Sequence, residues 1–188
     1  EGGWYFLQLR AWILREEGKL DEAVDGYQEV VDKLKRNRTL PAETRNRMAN
    51  RIRYLLSGIL VDMKKIDKAA DQLKALLKDD PDNPTYHNDL GYIWADHDMN
   101  LDESEKLIRK AIELDRKDRK TDGATGEDDK DNPAYVDSLG WVLFKKKKYA
   151  QAKKYLREAV TQKEGQHIEN MDPPADVLMA LGEQYEAV

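Results

Sequence analysis

Residues 131–160 read DNPAYVDSLGWVLFKKKKYAQAKKYLREAV, two apolar-periodic stretches joined by the four lysines Lys145 to Lys148. Asn132 followed by Pro133 is a helix-start signal. An asparagine side chain can accept an amide hydrogen bond of the first turn, and proline suits the first helical position, where its missing N–H has no partner anyway. Val136, Leu139, Gly140 and Leu143 then recur three or four residues apart, so they share one helical face. Tyr149, Ala152, Leu156 and Ala159 do the same in the second stretch. Gly140 and Ala152 are small where two antiparallel helices have to approach closely. The spacing predicts a helical hairpin, and comparable pairs recur along the chain.

The order Leu-Gly, then Tyr, then Ala, then Ala resembles the tetratricopeptide repeat (TPR), a helix–turn–helix unit of about 34 residues. With Gly140 at repeat position 8, Leu139 stands at 7, Leu143 at 11, Tyr149 at 17, Ala152 at 20, Leu156 at 24 and Ala159 at 27; Glu164 replaces the usual proline at 32. Near the start of the chain Leu7, Ala11, Leu14, Ala23, Tyr27 and Val30 take positions 4, 8, 11, 20, 24 and 27, with Gly18 at the turn and Arg10 where leucine is common. Ser57, Leu60, Ile66, Ala69, Leu73, Leu76 and Pro81 form a second match, and Gly91 follows Ser57 by 34 residues. In that third repeat Ser104 and Ala111 reach positions 20 and 27 only if the turn at 97–100 holds one extra residue. Serine suits the close approach because its small hydroxyl can bond to the backbone.

The resemblance implies an all-α fold, TPR-type helical hairpins stacked in a right-handed superhelix (α-solenoid). It implies a single array over 1–188, with repeats at about 4–36, 40–82, 84–116 and 133–164 and a final helix at 174–188. Leu178, Leu181, Gly182 and Tyr185 of that helix match a fifth repeat, so the natural chain is expected to continue past Val188 and self-association through the C-terminal helix is expected. Repeats three and four most resemble those of bacterial TPR arrays.

Two stretches break the period. Ala11 to Ser57 spans 46 residues, twelve beyond a standard repeat, and residues 33–53 hold eight Lys and Arg against Glu43 alone. Pro41 reads as the start of a long helix extended at its N-terminal end, its basic residues a solvated face or a contact for phosphates or an acidic partner. Residues 117–131 contain almost nothing apolar and two glycines, and are expected to be a mobile insertion. Their acidic run lacks the alternation of a calcium loop.

With 37% charged and 40% hydrophobic residues and a net charge of −5, the composition favours amphipathic helices and names no partner by itself. No cysteine is present, which excludes disulfides and thiolate chemistry. No apolar run reaches the roughly 18 residues a membrane helix needs, so a soluble protein of the cytoplasm or cell envelope is expected. His87, His97 and His167 have no partner at catalytic or metal-binding spacing, and no glycine-rich phosphate loop occurs. No enzyme activity, cofactor or metal is expected, and nucleic acid is disfavoured against a protein or peptide partner.

The resemblance also implies where such a partner would lie. TPR arrays present positions 2, 5, 9, 12 and 13 of their first helices on a concave face. Carried over, these give Tyr5, Gln8, Trp12 and Arg15; then Arg51, Tyr54 and Asp62; then Asn88, Tyr92 and Asp96; then Asp137, Trp141 and Phe144. Tyr and Trp are types that dominate interface energetics. The basic pairs with which some TPR modules hold a terminal carboxylate are missing at positions 5 and 9. Two readings follow: a scaffold gripping a peptide or helix in the groove, or a spacer within a larger assembly that binds no free ligand. Trp12 and Trp141 could alternatively be wedged between neighbouring first helices as core.

Overall fold

The computed structural model describes residues 3–121, 123 and 130–164. They form α1 (Gly3–Glu16), α2 (Leu20–Arg36), α3 (Ala42–Asp62), α4 (Ile66–Asp79), α5 (Pro84–Asp96), α6 (Leu101–Thr121), α7 (Pro133–Lys145) and α8 (Tyr149–Glu164), with no strand among the described residues. The described residues are all-α, and α1/α2, α3/α4, α5/α6 and α7/α8 each form a hairpin. The chain divides into two compact units, Glu1–Pro81 and Asp82–Val188. The final helix expected at 174–188, and self-association through it, lie outside the described residues.

In unit 1 the hairpins α1/α2 and α3/α4 stack through α2 against α3. The core is Ala11, Ala23, Tyr27, Val30, Val31, Leu34, Ala49, Ile52, Leu56 and Ile59. The long helix expected after Pro41 is α3, 21 residues against 14 for α4. In unit 2 the hairpins α5/α6 and α7/α8 stack through both α6 and α5 against α7. Ile108, Ala111, Tyr135, Leu139, Trp141, Val142, Leu143 and Leu156 are among its core.

Close approach is built as the small residues predicted. A Cβ on Gly91 would come within 2.9 Å of the Ser104 carbonyl oxygen, and one on Gly140 within 2.6 Å of Leu156 Cγ. Ser104 donates its hydroxyl to the Gly91 carbonyl. Asn83 and Asn132 cap α5 and α7, accepting the amides of Tyr86 and Ala134 at 3.2 and 3.0 Å.

The four hairpin turns share one closure. Gly18, Lys64, Asp98 and Lys147 lie in the left-handed region with φ of 75°, 58°, 55° and 60°. The amides of the residues that follow, Lys19, Lys65, Met99 and Lys148, return to the carbonyls of Leu14, Leu60, Trp94 and Leu143. This 6→1 bond satisfies a carbonyl left over at a helix end. The α5/α6 turn holds the predicted extra residue, taken up by a second left-handed position at Asn100 (φ 46°).

Of the insertion expected at 117–131, both ends are ordered, while residues 122 and 124–129 lie outside the described residues. Residues 117–121 continue α6, and Asp131 is held by Arg116 at 2.7 Å and Arg119 at 3.1 Å. Asp115 and Arg119 form a further i,i+4 ion pair. Charged residues with strong helix propensity and i,i+4 pairing prolong a helix that has already nucleated, even without an apolar face. The Arg116 guanidinium holds the Asp131 carboxyl below its usual range, with burial opposing and Arg119 assisting.

Candidate interaction face

In unit 1 the first-helix positions come together around a hollow. Tyr5, Gln8, Leu9 and Trp12 of α1, Tyr27 of α2, and Arg51, Ile52 and Leu55 of α3 line a cavity of about 270 Å³. Alternation of three and four residues puts Tyr5, Gln8 and Trp12 on one side of α1. The walls are only partly covered: Trp12 is 50% exposed and Tyr5 58%. Tyr27 forms a buried wall, and burial pushes its phenol pKa up while Arg15 draws it down and Glu16 raises it. Tyr54, Arg15 and Asp62 are exposed on the same two helices.

Unit 2 departs from the expected open surface. Asn88, Asp137 and Trp141 are each only 7% exposed. The cause is direct packing of α5 on α7, which places position-5 and position-9 side chains at a helix–helix contact. Trp141 stacks on Phe144 with ring centroids 5.4 Å apart, and Lys145 Nζ lies 5.1 Å from the Trp141 ring centre. Thr85 and the Tyr135 hydroxyl, 3.0 Å apart, add a bond between the same helices. The Asn88 Oδ1 and Trp141 Nε1 atoms are buried without a hydrogen-bond partner among the described residues. Tyr92 and Phe144 are half-buried, and Asp96 is exposed beside the turn. The wedge alternative thus describes Trp141, while Trp12 remains at the surface.

The four-lysine run serves this unit structurally. Lys145 reaches Asp98 at 3.1 Å, and Lys146 and Lys148 reach Glu105 at 2.6 and 3.1 Å. Glu105 also accepts from Arg109 at 2.8 Å. Burial acts to raise the Glu105 pKa, but the bonds from Lys146, Arg109 and Lys148 outweigh it and hold it at about 2.

The cavity residues not singled out from sequence are Leu9, Tyr27, Ile52 and Leu55. A signal for two of them exists: Leu9 and Leu55 both stand at repeat position 6, where unit 2 has Asp89 and Ser138. An apolar residue at a position that is polar in the sister repeats marks a surface with something to cover. Among the described residues no group of His, Asp or Glu is arranged to hold a metal ion, and no helix is long and apolar enough to cross a membrane.

Family profiles described as the tetratricopeptide repeat match residues 45–119 and 136–165. Among solved structures, BtubC from P. vanneervenii superposes with a TM-score of 0.70 at 20% identity, over 96% of this chain and 71% of that one. A tetratricopeptide repeat protein from Parabacteroides merdae gives 0.69 at 14% identity, over 100% and 62%. MamA from Desulfovibrio magneticus RS-1 gives 0.61 at 20% identity, over 86% and 76%. No curated protein sequence gives a significant match. At these identities the structures speak for the fold alone. Profile matches on both units, the hairpins and their common turn closure make this chain a member of the tetratricopeptide repeat family.

Proposed function

We propose that this chain is a protein-interaction scaffold and that unit 1 grips a peptide or helix of its partner on the α1/α3 face. Proteins of this repeat family generally mediate protein–protein interactions. The observation that carries the reading here is the 270 Å³ cavity flanked by two half-exposed aromatics, Tyr5 and Trp12. Its volume lies below the roughly 300–1,000 Å³ of small-molecule sites, which suits one partner side chain better than a cofactor. The unbroken 34-residue spacing from Ser57 to Gly91 supports reading the hairpins as consecutive repeats of one array.

Trp12→Ala, compared with wild type in capture from source-cell lysate, should lose the partner while the helical circular-dichroism spectrum is kept. Unaltered capture would remove the α1/α3 face from the reading. The burial of Asn88, Asp137 and Trp141 favours a second role for unit 2, that of a spacer or assembly module with no free ligand of its own. On that reading, substitutions at Tyr92 or Asp96 leave capture unchanged.

A further inference from the structure

Resting on the unit 1 reading above, we infer that the α1/α3 cavity takes an apolar side chain flanked by Asp or Glu, so the partner segment is acidic. The charge pattern around the cavity points to this class. Arg51 lines it, and Arg47 lies one helical turn earlier on the same face of α3. Both are exposed, and neither has an ion-pair partner among the described residues. The other arginines of α3 are engaged: Arg45 donates to the Asn37 carbonyl at 2.9 Å, and Arg53 pairs with Asp79 at 3.5 Å. Two guanidiniums are thus left presenting donors beside an apolar hollow, a geometry matched to a carboxylate.

The acids of the same face do not cancel this. Glu43 stands one turn before Arg47 and eight residues, about 12 Å, from Arg51, and Glu16 and Asp62 sit at the turn ends of α1 and α3, with Asp62 eleven residues beyond Arg51. At 1.5 Å per residue that is about 16 Å along the helix, beyond the roughly 8 Å screening length at physiological salt. Arg15 and Glu16 are adjacent and balance one another at Tyr27. Glu16 and Asp62 at repeat position 13 would by themselves suit a Lys- or Arg-bearing ligand, but that preference does not extend to the cavity. Single-stranded nucleic acid would also value arginine beside aromatics, but it needs a continued basic track. Here two arginines are followed by acids.

The test uses the full chain and three labelled twelve-residue peptides. They share a central Leu-Phe anchor flanked by Glu, by Lys or by Ser, with an oligo-dT strand as a fourth probe. Fluorescence anisotropy should rank the Glu peptide first, roughly tenfold tighter than the Lys peptide, the size of one charge-assisted hydrogen bond. Arg47→Ser with Arg51→Ser should abolish that preference, and Trp12→Ala should weaken every peptide. Equal or tighter binding of the Lys or Ser peptide, a preference for oligo-dT, no peptide binding at all, or an unchanged preference in the arginine variant each overturns the inference. The scaffold reading is judged separately. If charge preference fails while Trp12→Ala still loses the lysate partner, the face stands and only its ligand class is wrong.

Discussion

Trp12 and Trp141 hold the same repeat position on first helices of the two units, yet one is 50% exposed and the other 7%. Both directly follow the small position-8 residue, Ala11 or Gly140. What differs is the neighbour each one meets. In unit 2 α5 lies directly on α7, so Trp141 is closed over by Phe144, Lys145 and the α5 surface. In unit 1 α1 and α3 each pack on α2, leaving the cavity in which Leu9 and Leu55 replace the polar position-6 residues of unit 2. A repeat position fixes where a side chain points; the spacing between successive first helices decides whether that direction is core or surface.

The sharpest way to break this comparison is to truncate both tryptophans. Trp141→Ala should cost about 3 kcal/mol or more, the usual range for a large aromatic removed from a packed interior. Trp12→Ala should cost under about 1 kcal/mol, because a half-exposed ring has less burial to lose. Urea denaturation of the two variants checks the pair. Similar losses would mean that the first helices of unit 1 close up in solution as those of unit 2 do.

The units also differ at position 8. Unit 2 carries Gly91 and Gly140, whose missing Cβ atoms allow the Ser104 carbonyl and Leu156 to sit in the vacated space. Unit 1 carries Ala11 and Ser57 there, and in its first hairpin the small residue is instead Gly26, where a Cβ would meet that of Ala11 at 3.0 Å. Gly91→Ala should therefore cost about 2 kcal/mol through overpacking against backbone. Gly58→Ala, with nothing within 4 Å of the added Cβ, should be neutral or slightly stabilising, since alanine is the better helix former. Differential scanning calorimetry reads both. A destabilising Gly58→Ala would sink the contrast.

Much of the fold was legible because it is written in local, repeated chemistry. Asn132-Pro133 announced a capped helix, and Asn83-Pro84 caps α5 in the same way; Ser104 announced a bond to the backbone, made to the Gly91 carbonyl, and one surplus residue at 97–100 announced an altered turn. What escaped depends on long-range placement. The last turn of α6 runs through residues with no apolar period, and its hold on Asp131 crosses fifteen positions from Arg116. For the candidate site, Tyr5, Gln8 and Trp12 were found by position, but their union with Arg51, Leu55 and Tyr27 into a cavity required the relative setting of three helices. The burial of Asn88 and Asp137 escaped for the same reason, while for Trp141 the sequence offers both groove and core and the setting of α5 on α7 decides.

Electrostatic stitching between hairpins separates the units a third time. Unit 2 converges Lys146, Lys148 and Arg109 on Glu105, whose side chain is only 12% exposed. Unit 1 has Lys65 on Asp21, with Asp21 82% exposed. Exposed pairs contribute under about 1 kcal/mol, while removing one member of a partly desolvated cluster costs more. Glu105→Gln should lower stability by about 1–2 kcal/mol, and Asp21→Asn by a few tenths. The pH dependence has a definite sign. The folded Glu105 pKa, about 2, lies below the ordinary glutamate value of 4.5, so its contribution is complete above about 4.5 and is lost as pH falls toward 2. Acid titration of unfolding free energy should show a shallower fall across that window in Glu105→Gln than in wild type. Parallel curves would assign the cluster no role.

The smallest expected effect lies in the turns, where the units are alike. Every hairpin requires a left-handed residue at one place, and only the first supplies glycine, at Gly18. Lys64 and Lys147 hold φ of 58° and 60° with a β-carbon crowding the carbonyl that follows, which costs about 1–2 kcal/mol against a right-handed conformation. Glycine removes that cost but gives back part of it through the greater freedom of the unfolded chain, about 0.5–1 kcal/mol. Lys64→Gly and Lys147→Gly should thus each stabilise by about 0.5 kcal/mol, the difference of those two effects. The turn lysines that bear on unit 2 packing are Lys145, Lys146 and Lys148, so Lys147→Gly leaves the Glu105 and Asp98 contacts in place. Gly18→Lys supplies the converse and should destabilise by a similar amount. Equal gains at Lys64 and Lys147 would show that the turn closure is independent of the unit it serves. A loss at either would mean that lysine there does something besides tolerate its φ.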